Sequence, residues 1–195
     1  MNKERFMTYD IILAGVGGQG VLSLATIIAR AAMLDGLEVR QSEVHGMSQR
    51  GGAVQAHMRI SDKPITSDLI PVGGADMILS MEPVEALRYL SFLKPEGILV
   101  AAAEPVVNIG NYPDLEGIHA AIRKLPRNRL VHAEQLAREA GNLRASNMVL
   151  VGAAYRELPV SEKALAESVH ETFAKKDPRL VDINMKALKL GEEAE

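Results

Sequence analysis

Two glycine-rich stretches carry the residue types through which this chain can hold a ligand. The first, Gly15-Val16-Gly17-Gly18-Gln19-Gly20, has G-x-G-x-x-G spacing and joins an apolar run to a helix-like repeat. Glycines at that spacing let the backbone turn sharply and come close to a bound group, and the N–H groups opening the next helix favour an anion. The second stretch is Ser42-Glu43-Val44-His45-Gly46-Met47-Ser48-Gln49-Arg50-Gly51-Gly52. Arg50 offers a bidentate grip on phosphate or carboxylate, Ser48 and Gln49 offer neutral hydrogen bonds, and His45 titrates near neutrality. The candidate binding residues are therefore Gly15, Gly17, Gly18, Gln19, Gly20, His45, Ser48, Gln49, Arg50, Gly51 and Gly52.

The residues leave the ligand open. A dinucleotide site wants an acid near the end of the second strand to hold a ribose, and Glu43 lies 23 residues after Gly20. The same glycines equally serve tight packing of strand on helix. Arg50 has two duties besides anion binding, pairing with Glu43 or with a carboxylate of another subunit. Glu82 can line the same crevice, but a charge favourable to a helix N-terminus is the better reading. No Tyr-Lys or His-Asp constellation marks a catalytic centre, so no residue is assigned a catalytic role. His57 falls on the polar face of an alternating segment, which predicts solvent or an interface. His119, His132 and His170 lack ligand spacing, so no metal site is expected.

The elements that must position these loops follow from apolar patterning. Asp10–Gly15 reads as a buried parallel strand, Val21–Leu34 as a helix with Leu22, Ala25, Ile28, Ala29 and Ala32 at helical spacing, and Gly36 as its stop. Glu38–Val44 follows as a second strand. Ala53–Ile60 alternates, with Val54, Ala56, Met58 and Ile60 on one face, which suits an antiparallel strand or one near an edge. Met77–Ser80 and Ile98–Ala102 are further buried strands, with a helix from Pro83 to about Leu93 between them; Leu130–His132 is a last short one. Helices are predicted over Ala133–Ala140, Ser146–Glu157, Ser161–Lys175 and Pro178–Leu190, with Ser161 as an N-cap and Gly191 as a stop. The fold class is α/β: a Rossmann-like open, mostly parallel sheet with helices on both faces and a helical C-terminal segment. Residues 1–195 make one domain. The two glycine loops should face each other over one crevice at the strands' carboxyl ends.

Bulk composition narrows the function classes. With 195 residues, 47% apolar and 24% charged, the chain has the makings of an ordinary globular core. A net charge of −3 argues against a general nucleic-acid binder. There is no cysteine, so the chain cannot ligate an iron–sulfur cluster by thiolate, use a thiol nucleophile or form a disulfide. Met1–Tyr9 lacks the apolar run of a signal peptide, and no stretch approaches the roughly 20 apolar residues of a spanning helix. A cytoplasmic location with no membrane contact is expected.

The two glycine motifs, in this order and followed by Ser146–Ala153 (SNMVLVGA), resemble the gamma-type domain of the 2-oxoacid:ferredoxin oxidoreductases over most of the chain. The second motif is similar to that of the small (beta) subunits of the indolepyruvate-type enzymes. The resemblance implies oxidative decarboxylation of an arylpyruvate to an aryl-acetyl-CoA, with electrons passed to ferredoxin. It implies a large partner subunit bearing thiamine diphosphate and the iron–sulfur clusters, with no cofactor held by this chain alone. Coenzyme A is the implied substrate, and the chain is expected to bind its phosphates or to complete the partner's active site; for phosphates the residues themselves offer the N–H groups of Gly17–Gly20 and the charge of Arg50. Self-association of the isolated chain through surfaces meant for the large subunit stays open. So do two alternatives, a free-standing NAD-binding oxidoreductase and a non-catalytic scaffold domain.

Overall fold

Apolar runs of Ile, Leu, Met and Val, buried from both sides, build a sheet around which the rest of the chain is wound. The computed structural model describes residues 8–45, 51–107 and 110–194, with the backbone alone at His45. The strands are β1 (Tyr9–Val16), β2 (Glu38–His45), β3 (Ala53–Ser61), β4 (Ala75–Ser80), β5 (Leu93–Ala102) and β6 (Asn128–Val131). The α-helices are α1 (Val21–Leu34), α2 (Pro83–Arg88), α3 (Leu115–Arg123), α4 (Ala133–Ala140), α5 (Ser146–Ala154), α6 (Glu162–Phe173) and α7 (Pro178–Glu193). Among the described residues the strands form one sheet in the order β2-β3-β1-β4-β5-β6. Strands β1, β4, β5 and β6 are parallel, whereas β3 runs antiparallel to both β1 and β2. The sheet is thus mostly parallel, as expected, with β3 inserted between the first two strands of the chain.

Alternation along β1 feeds two cores. Ile11 and Leu13 enter the core shared with α1, α5, α6 and α7, while Ile12 enters the core under α2 and α3. All three are fully buried, and each such side chain contributes about 1.5–3 kcal/mol. Helix α1 turns Leu24, Ala25, Ile28 and Ala32 inward, but Leu22, which the helical repeat placed on that face, is exposed. It ends as expected at Gly36, whose N–H donates to the Met33 carbonyl at 3.0 Å while that of Leu37 reaches Ala32.

Four expectations change. The helix from Pro83 closes at Arg88, and a 3₁₀ turn at Leu90–Phe92 carries the chain into β5. Helix α3 was not anticipated, although its signals are present: Asp114 accepts from the Gly117 N–H at 2.8 Å, and Ile118 and Ile122 are buried one turn apart. His57 is neither solvated nor at a surface but 7% exposed. The connection that follows β3 lies over its polar face: Ile70 N–H donates to His57 Nδ1 at 3.0 Å, Arg59 donates to the Ser67 carbonyl at 3.0 Å, and the Phe92 ring meets the imidazole edge-on. Gly191 does not stop α7, which continues to Glu193. A Cβ on Gly191 would lie 1.9 Å from the Val149 carbonyl oxygen, and one on Gly152 would lie 1.9 Å from that of Leu188. The two glycines therefore let α5 and α7 touch backbone to backbone. Ser161 caps α6 as expected, accepting from the Ala164 N–H. Among the described residues no helix is long and apolar enough to cross a membrane.

Two outcomes follow from this packing. Gly191→Ala meets fixed backbone that no rotamer change relieves, so it should cost about 3 kcal/mol or more and lower Tm by roughly 10 °C. A thermal scan showing no shift would mean that the helices separate freely. Burial lowers the pKa of His57, against the opposing pull of Asp10. The unfolded chain then binds a proton below pH about 6.5 that the folded chain refuses, so stability falls as pH drops through that value. His57→Gln should flatten the dependence of Tm on pH between about 7 and 5; an unchanged slope would assign it to other groups.

Candidate functional site

Leaving β1 at Val16, the chain turns through Gly17–Gly20 into α1. That turn needs backbone that L side chains resist, with φ 103° at Gly18 and 91° at Gly20. Gln19 locks it: its Oε1 accepts from the Val16 N–H at 2.7 Å and its Nε2 donates to the Met81 carbonyl at 2.8 Å. Both ends of this amide are spent on the ends of β1 and β4, so Gln19 shapes the loop from inside. Gly15 lies within β1 and packs on Val21 and Met81.

The two glycine-rich stretches do meet. Gly17 N–H donates to the Gly52 carbonyl at 2.8 Å, and Gly51 N–H donates to the Gly17 carbonyl at 3.2 Å. Ser48, Gln49 and Arg50 lie outside the described residues, as does the side chain of His45. Glu43 is exposed on the edge strand β2, with β3 between it and β1. It sits two strand spacings, roughly 10 Å, from the strand that delivers the glycine loop.

A cleft of about 680 Å³ is lined on one side by the Gly18–Gly20 part of the first loop. Its floor is Gly18–Gly20 with Ser23, its back the ends of β4 and β5 at Met81 and Ala102, and its far walls the Asn142–Asn147 segment and α7. Two helices begin here without a side-chain cap: α1 at Gly20 and α5 at Ala145. Their first N–H groups carry partial positive charge. A third helix, α4, also starts here, but Glu104 accepts from the N–H groups of Ala133 and Glu134, each at 3.1 Å. Glu134 in turn pairs with Arg138 at 2.8 Å. Arg144 and Lys176 also line the cleft, and neither side chain has a hydrogen bond or ion pair among the described residues. The carboxylates are therefore engaged, whereas the Arg144 side chain has no partner among the described residues and Lys176 meets only the Phe173 ring, 5.9 Å from its Nζ. Such a cleft favours an anion. Among the described residues no group of three His, Asp or Glu is placed to hold a metal ion.

Arg144, Lys176 and Asn147 escaped the sequence reading. They lie more than 120 residues from the glycine loop, and only the packing of α5, α6 and α7 brings them to it. One local signal was available: Arg144 stands just before the helix that opens with Ser146-Asn147-Met148, a cation beside a helix N-terminus.

Glu82 faces away from this cleft, toward a smaller cavity of about 120 Å³ beneath Tyr112. Only 1% exposed, it accepts from the Glu85 N–H at 2.8 Å and from the Tyr112 hydroxyl. It caps α2, in line with the N-terminal charge the sequence favoured. Burial and the Glu82 carboxylate push the Tyr112 hydroxyl well above the usual phenol range.

Comparison with known proteins places this geometry. Residues 10–194 match the family model described as pyruvate ferredoxin/flavodoxin oxidoreductase. The chain is 41% identical over 194 residues to indolepyruvate oxidoreductase subunit IorB of Archaeoglobus fulgidus, covering 95% of this chain and 94% of that protein. It is 40% identical to the subunit of the same name from Pyrococcus horikoshii, covering 95% of each. Among solved structures it superposes on the gamma subunit of a keto/oxoacid ferredoxin oxidoreductase from Geobacter sulfurreducens, with a TM-score of 0.69, 26% identity and coverage of 95% and 96%. It also superposes, at 23% identity and a TM-score of 0.75, on a 2-oxoglutarate:ferredoxin oxidoreductase of Magnetococcus marinus whose structure holds 2-oxoglutarate, coenzyme A and succinyl-CoA. That likeness covers 98% of this chain but 31% of the longer one, and it speaks for the fold alone. By a family match over nearly its whole length and by these relatives, the chain belongs to the pyruvate ferredoxin/flavodoxin oxidoreductase family.

Proposed function

We propose that this chain is the small subunit of an indolepyruvate-type 2-oxoacid:ferredoxin oxidoreductase, and that its cleft holds the anionic end of coenzyme A. The supporting observation is the pair of cations that find no carboxylate among the described residues, Arg144 and Lys176, in the cleft onto which α1 opens without a side-chain cap. The enzyme would convert an arylpyruvate anion and coenzyme A into an aryl-acetyl-CoA, carbon dioxide and a proton, with two electrons leaving to ferredoxin. Thiamine diphosphate held by the large subunit would supply the electron sink for decarboxylation, and iron–sulfur clusters there would carry the electrons. With no cysteine, this chain offers no thiolate for a cluster.

Its own residues bind and orient. The N–H groups following Gly20 donate to phosphate oxygens, and Arg144 and Lys176 supply the balancing charge. Holding the ligand by its phosphates leaves the thiol end free to extend out of the cleft toward the partner, where the acyl group forms. The subunit thereby turns a two-body encounter into an oriented one. Arg50 is the corresponding candidate from the second glycine stretch.

The test uses the complex co-expressed with its large subunit, assayed with indolepyruvate and a low-potential electron acceptor. Arg144→Ala and Lys176→Ala should each raise KM for coenzyme A by about tenfold or more, with kcat at saturating coenzyme A little changed. An unchanged KM in both variants would remove the anionic end of coenzyme A from this cleft. Arg50→Ala in the same assay decides whether the second stretch shares the task.

A further inference from the structure

Two buried asparagines line the cleft, and each has spent only half of its amide. Asn147, 6% exposed, accepts from the Met148 N–H at 2.9 Å through Oδ1, and its Nδ2 has no acceptor among the described residues. Asn184, 5% exposed, donates from Nδ2 to the Leu180 carbonyl at 2.7 Å, and its Oδ1 has no donor. No side-chain nitrogen or oxygen wholly cut off from solvent lacks a partner among the described residues. The free ends of both amides therefore keep their access through the cleft that these residues line.

Their surroundings differ. Nδ2 of Asn147 lies 3.3 Å from the position a Cβ on Gly20 would take, at the glycine-loop end. There it adds one more donor to a site already rich in donors. Asn184 stands with Leu180 and Ile183 on one face of α7, across from the turn that carries Leu143, with Phe173 in the same wall. At this end Leu143, Phe173, Leu180 and Ile183 line the cleft beside the fixed Asn184 acceptor, with Lys176 Nζ 5.9 Å from the centre of the Phe173 ring. A flat ring with an N–H donor on its edge fits such a slot.

We propose that Asn184 selects the ligand by its base, its free Oδ1 accepting from the 6-amino group of an adenine ring seated against Leu143, Phe173 and Leu180. The proposal rests on the reading that coenzyme A enters this cleft, because that ligand joins phosphates to adenine. Asn184 cannot turn its amide round for a 6-oxo purine without giving up the bond to the Leu180 carbonyl. With the amide fixed, a 6-oxo base sets acceptor against acceptor, and neither is satisfied.

Calorimetry on the co-purified complex tests this with adenosine 3′,5′-bisphosphate, inosine 3′,5′-bisphosphate, inorganic pyrophosphate and phosphopantetheine as probes. The adenosine compound should bind about tenfold or more tightly than the inosine compound. Asn184→Ala and Asn184→Leu should bring the two within about twofold of each other while pyrophosphate binding stays the same. Equal binding of both nucleotides by the wild-type complex, with pyrophosphate still bound, overturns the role of Asn184 and leaves the anion cleft standing. Loss of phosphopantetheine binding alone in the variants assigns the slot to a pantetheine amide, which also overturns it. If no anion binds at all, the reading of the cleft itself fails and takes this inference with it.

Discussion

Helices α5 and α7 are held at backbone contact by Gly152 and Gly191, and the geometry of the cleft follows from that contact. The first turn of α5 carries Ser146 and Asn147, and the facing stretch of α7 carries Leu180, Ile183 and Asn184. A side chain at either glycine would push the helices apart, since the carbonyls of Val149 and Leu188 already occupy the space. The wall made by α7 would then move away from the glycine loop, because α5 reaches that loop through Asn147. Stability and site geometry thus share one cause. Close-packed interiors transmit such a displacement because they have little free volume to absorb it.

Electrostatics in the cleft are set by which charges are already engaged. Carboxylates at the strand ends are committed to the protein itself: Glu104 caps α4, and Glu82 caps α2 and takes the Tyr112 hydroxyl. Each serves donors that helix geometry leaves orphaned. Helix α1 receives no such cap, the Met148 N–H of α5 is taken by Asn147 Oδ1, and the cations in the cleft find no carboxylate among the described residues. The structure therefore caps some of its helix starts internally and leaves that of α1 without a side-chain cap.

Inserting β3 between β2 and β1 has a second consequence. In a doubly wound sheet the second strand lies beside the first, and an acid at its end can reach a ribose. Here β2 is displaced to the edge, and Glu43 goes with it. Strands β2 and β3 pair antiparallel, and Gly51 and Gly52 bond to Gly17 in the loop after β1. The two stretches remain neighbours through those bonds.

Much of the architecture was legible in the sequence because local rules produce it. Apolar runs marked the parallel strands, 3.6-residue spacing marked α1, Gly36 and Ser161 marked helix ends, and the absence of cysteine ruled out thiolate ligation. Alternation in β3 pointed to its antiparallel place, and the paired glycine motifs with SNMVLVGA pointed to the family. What the sequence could not determine depends on contacts between distant segments. His57 reads as solvated until a connection more than ten residues later folds over it, and Gly191 reads as a helix stop until α5 arrives to require it. The same holds for Arg144, Lys176, Asn147 and Asn184, ordinary surface or helix residues until three helices bring them to the glycine loop. Local propensity acts over a few residues, whereas a cleft is made of elements separated by a hundred or more, and only packing joins them.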